Sequence, residues 1–172
     1  MNIRDAQEFD LPAIVAIYNA AIPTRISTAD LEPITVESRR AWFHQYNPQK
    51  RPLWVLEIDQ KIAAWINLTS FYSGRPAYSA TAEISIYIAP QYQRQGYGKL
   101  LVKHVIEACP RLGVTTLLAM YFDHNMGSRQ LFESLGFQSA GHLSEIAVLD
   151  GQQRGLIIAI RRVEPTPLSI GE

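Results

Sequence analysis

The chain reads as a mixed α/β protein, a mixed sheet covered by helices on both faces. Three observations say so. "TAEISIYI" at 81–88 alternates strictly, with Ile84, Ile86 and Ile88 facing one way and Glu83, Ser85 and Tyr87 the other. "PLWVLEI" and "IAAWINLTSF" flank Asp59-Gln60-Lys61 as the arms of a hairpin would. Elsewhere apolar residues recur at helical spacing, Ile14, Ile17, Tyr18 and Ala21 among them.

Residues 2–5 read as a short first strand. Asp10 is a good N-cap for the helix that follows, with Pro12 in its first turn. From Pro23 to Pro33 the chain is polar and irregular, a candidate mobile loop over a site. Thr35 can cap a second helix through about Tyr46. The hairpin comes next, then a break at Gly74 and Pro76, then the alternating strand. A helix from about Gly96 to Cys109 turns Leu100, Leu101, Val105 and Ile106 inward. "VTTLLAMYF" is an apolar strand, and Asn125 to Leu135 is a short helix ending at Gly136. Phe137 to Arg162 holds two strands around Asp150-Gly151, a strong hairpin dipeptide. Residues 1–163 are expected to form one domain, and 164–172, with Pro165 and Pro167, a frayed tail.

Composition narrows the function. The 172 residues carry sixteen basic and sixteen acidic side chains, a balance that argues against a nucleic-acid partner or an anionic membrane surface. No apolar run of about 18 residues spans a bilayer, and "MNIRDAQEFD" lacks the apolar stretch of a secretory signal. Cys109 stands alone, which excludes an internal disulfide and a cysteine-built zinc site. No metal is expected. Asn67-Leu68-Thr69 reads as a chance sequon, and the chain as a cytoplasmic protein.

"QYQRQGYGKLLV" at 91–102 puts two glycines where a helix opens, although glycine costs roughly 1 kcal/mol in a helix interior. The first N–H groups of a helix lack intrahelical partners and carry the positive end of its dipole. Removing side chains at Gly96 and Gly98 lets an anion approach those donors, so residues 93–98 are shaped for a phosphate or diphosphate. Neither G-x-x-x-x-G-K-[ST] nor G-x-G-x-x-G is present. A glycine-rich turn with no ligand is the competing reading.

Gln93-Arg94-Gln95-Gly96-Tyr97-Gly98 matches the (Gln/Arg)-x-x-Gly-x-(Gly/Ala) signature of the GCN5-related N-acetyltransferases. Asn125-Met126-Gly127-Ser128 followed by Leu131-Phe132-Glu133-Ser134-Leu135-Gly136-Phe137 resembles a second segment of that family. "AIYNAAI", "GRPAYSATAEISIYIAP" and "GFQSAGHL" are similar to its phosphinothricin and methionine sulfoximine acetyltransferases, a likeness covering roughly residues 2–145. The resemblance implies that family's fold, a mostly antiparallel twisted sheet of about seven strands with helices on both faces. It implies acetyl transfer from acetyl-CoA to a primary amine.

It also implies roles. The backbone of Ile86, Tyr87 and Ile88 would pair with the pantetheine arm, an N–H near Ile88 polarising the thioester carbonyl. Arg94, Gln95, Gly96, Tyr97, Gly98 and Lys99 would grip the diphosphate through main-chain N–H groups, the side chains of Arg94 and Lys99 reading as surface charges. Asn125 would bond the coenzyme arm with Ser128 nearby, or both would simply cap their helix. Glu83 matches the family's general base, against the alternative of a half-buried strand carboxylate paired with a cation. Arg75 and Tyr78 match an Arg-Pro-Ala-Tyr segment that borders the acceptor pocket, where Arg75 could hold a carboxylate. Phe132 stands where many relatives place an acidic tyrosine, so Tyr87, Tyr121 or water remain for that role. His124 and His142 read as structural histidines, and Cys109 as a small buried side chain.

The departures lie on the acceptor side: Ser79-Ala80 in place of a basic and a bulky residue, Thr28-Ala29-Asp30-Leu31 without the usual aromatic, and "SEIAVLDGQQRGLIIAI" in the tail. A small amino-acid-like amine is the leading acceptor. A protein N-terminus, a polyamine, an aminoglycoside or a role as an acyl-CoA sensor stand as alternatives. The resemblance implies a homodimer, and the apolar tail strands offer a patch for it.

Overall fold

The computed structural model describes residues 1–164, so the expected frayed tail lies, but for its first residue, outside the described residues. Seven strands form one sheet: β1 (Asn2–Asp5), β2 (Leu53–Ile58), β3 (Lys61–Ser70), β4 (Thr81–Ile88), β5 (Thr116–Phe122), β6 (Gln138–Leu149) and β7 (Gln152–Arg162). Their order is β1-β2-β3-β4-β5-β7-β6, antiparallel everywhere except between β4 and β5. The mixed, mostly antiparallel sheet expected from the sequence is present, with β4 at its centre.

The two hairpins form where turn chemistry places them. Asp59 and Gln60 take φ of 48° and 64°, and Asp150 and Gly151 take 48° and 79°. Two successive left-handed residues match the twist of the strands they join. Between β3 and β4 the break at Gly74 and Pro76 appears as two short 3₁₀ turns, Phe71–Gly74 and Pro76–Tyr78.

Helices α1 (Leu11–Ala21) and α2 (Val36–Phe43) cover one face, and α3 (Tyr97–Ala108) and α4 (Met126–Glu133) the other. Leu101, Val102 and Val105 of α3 meet Ile66, Leu68, Ile84 and Leu117 of the sheet, all at most 2% exposed. Burial of each such side chain stabilises by about 1.5–3 kcal/mol. On the α1 side Ile14 and Ile17 pack with Leu53, Val55 and Trp65, and the Trp65 indole N–H donates to the Ile14 carbonyl at 3.1 Å. That bond ties α1 to β3 beside the site.

Two helix ends differ from the sequence reading. α2 is capped by the Thr35 hydroxyl as expected, but it stops at Phe43 rather than near Tyr46. Gln45 and Tyr46 donate to carbonyls only three residues back, and Asn47, held out of the helical region by Pro48, bridges to Arg51 instead. Asp10 does not cap α1. Pro12 removes one of the N–H groups a cap would bond, while the Arg4 guanidinium offers a stronger partner. The Asp10 carboxylate, 3% exposed, accepts from both Arg4 terminal nitrogens at 2.6 and 2.9 Å and from the Gln7 N–H at 2.8 Å. Arg4 also bonds Glu57 of β2, so the ion pair clamps the start of α1 to the sheet.

Removing that carboxylate strands a partly buried guanidinium with Glu57 alone. Asp10→Ala is expected to lower stability by about 2–3 kcal/mol in chemical denaturation.

Candidate active site

β4 and β5 begin as parallel partners and then part. Their pairing runs from Thr81↔Thr116 to Ile84↔Ala119 and stops, while β4 stays paired to β3 as far as Ile88 and β5 to β7 as far as Phe122. The direction of the freed backbone groups follows from alternation. Ala89 donates to Ala63 across the β3 side at 2.9 Å, so Tyr87 and Ser85 also face β3. Ile86 and Ile88 therefore turn their N–H and C=O groups toward the gap. The Ile88 carbonyl already receives the Gln93 side-chain N–H at 3.1 Å.

The loop after β4 ends beside this gap. Arg94 and Gly96 are left-handed, with φ of 59° and 85°. The N–H groups of residues 94–99 make no hydrogen bond among the described residues; the first donor inside α3 is Leu100, bonding the Gly96 carbonyl. These six successive N–H groups stand at or just before the positive end of the α3 dipole.

The two glycines serve different ends. Gly96 supplies the positive φ and has open space where a Cβ would stand. Gly98 is buried, and a Cβ there would lie 3.3 Å from Leu131 Cδ2 and 3.4 Å from Ile88 Cδ1. The sequence reading gave it to ligand approach. The structure gives it at least equally to packing α3 against β4 and α4.

A cleft of about 1020 Å³ joins these parts. It is lined by ten of the residues singled out from sequence: Ile86, Tyr87, Ile88, Gln93, Arg94, Gly96, Gly98, Lys99, Asn125 and Ser128. Gln95 and Tyr97 do not line it; the Gln95 amide bonds the Gln91 carbonyl, and the Tyr97 ring packs edge-on to Tyr92. Asn125 caps α4 through its Oδ1, accepting from the Ser128 N–H at 2.9 Å, and its Nδ2 donates to the Ile26 carbonyl at 3.1 Å. Its capping reading is thus realised inside the cleft wall. The irregular segment 22–34 lies over the site and is tied there: Tyr87 OH donates to the Ser27 carbonyl at 3.1 Å, and His124 Nε2 pairs with the Arg25 carbonyl at 2.9 Å.

On the other side of β4 lies a smaller cavity of about 210 Å³, walled by α1, α2 and the sheet. Glu83, Ser85 and Tyr87 form its floor with Asn67 and Thr69 of β3, and Tyr87 lines both cavities. Glu83 has no ion pair or hydrogen bond among the described residues, which removes the paired-carboxylate alternative, and burial pushes its pKa up. The Asn67 amide, 4% exposed, bonds Tyr46 OH at one end and has no partner at the other. Burial pushes the Tyr46 hydroxyl, which accepts from the Asn67 amide, up to about 12, and raises that of Tyr87, which donates to the Ser27 carbonyl.

Tyr18, Arg39, Trp42 and Trp65 also line this cavity; the sequence marks Tyr18 only as a helix position and gives the other three no role. They come from α1, α2 and β3, and no local signal joins them. Arg75 and Tyr78 do not line either cavity. They sit on the 3₁₀ turns before β4, where the Arg75 guanidinium lies 5.8 Å from the Tyr72 ring centroid and Tyr78 meets Phe71 edge-on. Tyr121 stacks on Phe132 at 5.9 Å, lies 7% exposed and lines neither cavity, whereas Tyr87 lines both. Cys109 is fully buried, and burial pushes its thiol up to about 11, away from the thiolate that nucleophilic attack requires. His142 bonds Asp123 away from both cavities, and no group of three metal-ligating side chains occurs among the described residues.

Residues 14–137 match the family described as Acetyltransferase (GNAT) family. A Bacillus subtilis (strain 168) protein named "Putative phosphinothricin acetyltransferase YwnH" is 43% identical over 164 residues, 95% of this chain and 99% of its own. An L-methionine sulfoximine/L-methionine sulfone acetyltransferase of Pseudomonas paraeruginosa is 28% identical over 96% of each chain. The crystal structure of a phosphinothricin acetyltransferase from Sinorhizobium meliloti, in complex with AcCoA, shares the fold at a TM-score of 0.88 and 24% identity, covering 96% of this chain and 93% of its own. The chain belongs to the GNAT acetyltransferase family.

Gly98→Val forces two methyl groups between Ile88 and Leu131. It is expected to cost about 1–3 kcal/mol in thermal or denaturant unfolding, whereas Gly98→Ala asks the neighbours to give by only a few tenths of an ångström and costs less.

Proposed function

We propose that this enzyme transfers the acetyl group of acetyl-CoA to the primary amine of a small amino-acid-like molecule, of the phosphinothricin or methionine sulfoximine type, by direct attack with Glu83 as general base. The observation that carries the reading is the meeting of two cavities at one strand. A large cleft with unpaired backbone donors lies along β4, a small one holds an unpaired carboxylate, and Tyr87 borders both.

In this reading the diphosphate rests on the N–H groups of residues 94–99, where a helix N-terminus favours negative charge. The pantetheine arm runs along the free edge of β4 as an added strand, bonding Ile86 and Ile88. The Ile88 N–H stabilises the oxyanion that develops on the thioester carbonyl. Asn125 and Ser128 border the arm, Asn125 chiefly by holding α4 and segment 22–34 in place.

The acceptor enters the small cavity. Amines of this kind have pKa values of about 8–10 and arrive mostly protonated. Glu83 takes the proton, directly or through a water, the nitrogen lone pair attacks the carbonyl carbon, and the C–S bond breaks. The departing thiolate has an ordinary pKa of about 8.5 and leaves without an acid at position 132. The cavity of about 210 Å³ favours a small acceptor over a peptide or an aminoglycoside. A cytoplasmic home goes with the use of acetyl-CoA. A homodimer is part of the proposal too, supported by Leu143, Ile146 and Val148, which stand 40–59% exposed on the edge strand β6.

Free-thiol release from acetyl-CoA across a panel of amines tests the reaction. Activity with methionine sulfoximine, methionine sulfone or phosphinothricin supports it, and silence on every amine with coenzyme still bound turns the reading to a sensor. Glu83→Gln is expected to lower kcat by about 10²- to 10⁴-fold while leaving coenzyme affinity within a few-fold. The base acts in its ionised form, and burial raises its pKa. The acid limb of kcat/KM should therefore sit above the ordinary carboxylate range, activity falling as pH drops through it, and Glu83→Gln should remove that limb.

A further inference from the structure

The acceptor cavity contains one cation and one anion: among its lining residues Arg39 is the sole basic side chain and Glu83 the sole acidic one. The remaining walls are aromatic, aliphatic or neutral polar, with Trp42 and Trp65 the largest. That pairing is the complement of a zwitterion.

Arg39 is held for such a role. Its guanidinium lies 5.2 Å from the Tyr18 ring centroid and 5.6 Å from that of Trp42, so two aromatic rings lie against it. Contacts of this kind restrain a side chain that is otherwise among the most flexible. Of its five N–H donors, one bonds Asp30 Oδ2, at a long 3.3 Å, and no other hydrogen bond of Arg39 occurs among the described residues. Asp30 is 45% exposed and already accepts the Tyr18 hydroxyl at 2.6 Å. The free end of the Asn67 amide, buried in the same cavity, is a second group without a partner.

Building on the acetyl-transfer reading above, we propose that Arg39 binds the α-carboxylate of the acceptor while Glu83 receives its amine, which makes the substrates free α-amino acids. The Arg39 fork presents two parallel N–H groups that suit a carboxylate. Ile14, Val15 and Ile34 offer an apolar surface to the side chain. Arg75, the residue that the sequence pattern would assign to this anion, stands outside the cavity, so the anchor belongs to α2 rather than to the turn before β4.

The test compares an L-α-amino acid with a neutral side chain, its carboxamide and the amine lacking the carboxyl group, with thiol release from acetyl-CoA as readout. The wild-type enzyme is expected to show KM values about 10- to 100-fold higher for the two analogues than for the acid. Arg39→Gln should raise KM for the acid by a similar factor, with kcat within about threefold, and leave the carboxamide within about threefold. Arg39→Lys should recover part of the loss. Equal use of acid and carboxamide by the wild type overturns the proposal, as does an equal effect of Arg39→Gln on both. The wild-type comparison stands even if the variants fail to fold. Turnover that ignores the carboxylate sinks this inference alone, whereas silence toward every amine sinks the acetyl-transfer reading with it.

Discussion

Two parallel strands that stop pairing at Ile84 and Ala119 leave backbone groups with nothing to bond. A sheet edge inside a protein is costly to leave bare, and at the surface it invites another chain. Here it lies at the bottom of a cleft whose walls are the N-termini of α3 and α4 and the segment 22–34. The parting of β4 from β5 creates the room for an extended ligand. It also supplies the hydrogen bonds that would hold one.

One strand then serves three directions. Alternation sends Ile84, Ile86 and Ile88 into the larger core and Glu83, Ser85 and Tyr87 toward α1 and α2, while the main-chain edge faces the gap. The two cavities can therefore lie on different sides of one strand and still meet, at Tyr87. Rigidity comes from neighbours: Trp65 stacks on Tyr87 at 4.6 Å and is itself bonded to α1. Glu83 is the exception to local comfort. A half-buried carboxylate with neither cation nor hydrogen bond is expensive to keep, and such groups concentrate where chemistry needs them.

Overall neutrality hides strong local fields. Unpaired N–H groups at a helix N-terminus and a single arginine beside aromatic rings create local positive potential without making the protein basic. Composition alone speaks to nonspecific partners. It is silent on sites built from dipoles and single charges.

The sequence by itself determined what acts over a few residues. The period-2 pattern of β4 set its two faces, Asp59-Gln60 and Asp150-Gly151 set the hairpins, Thr35 and Asn125 set helix starts, and Gly96 marked the opening of α3. These follow from φ preferences and side-chain spacing, which need no knowledge of distant partners. Only the tertiary structure decided that Asp10 answers Arg4 rather than α1, that Gly98 makes room for Leu131, and that Arg75 stays outside while Arg39, Trp42, Trp65 and Tyr18 converge on Glu83. Each of those outcomes joins segments far apart in the chain, and packing, which no local periodicity encodes, chose among them.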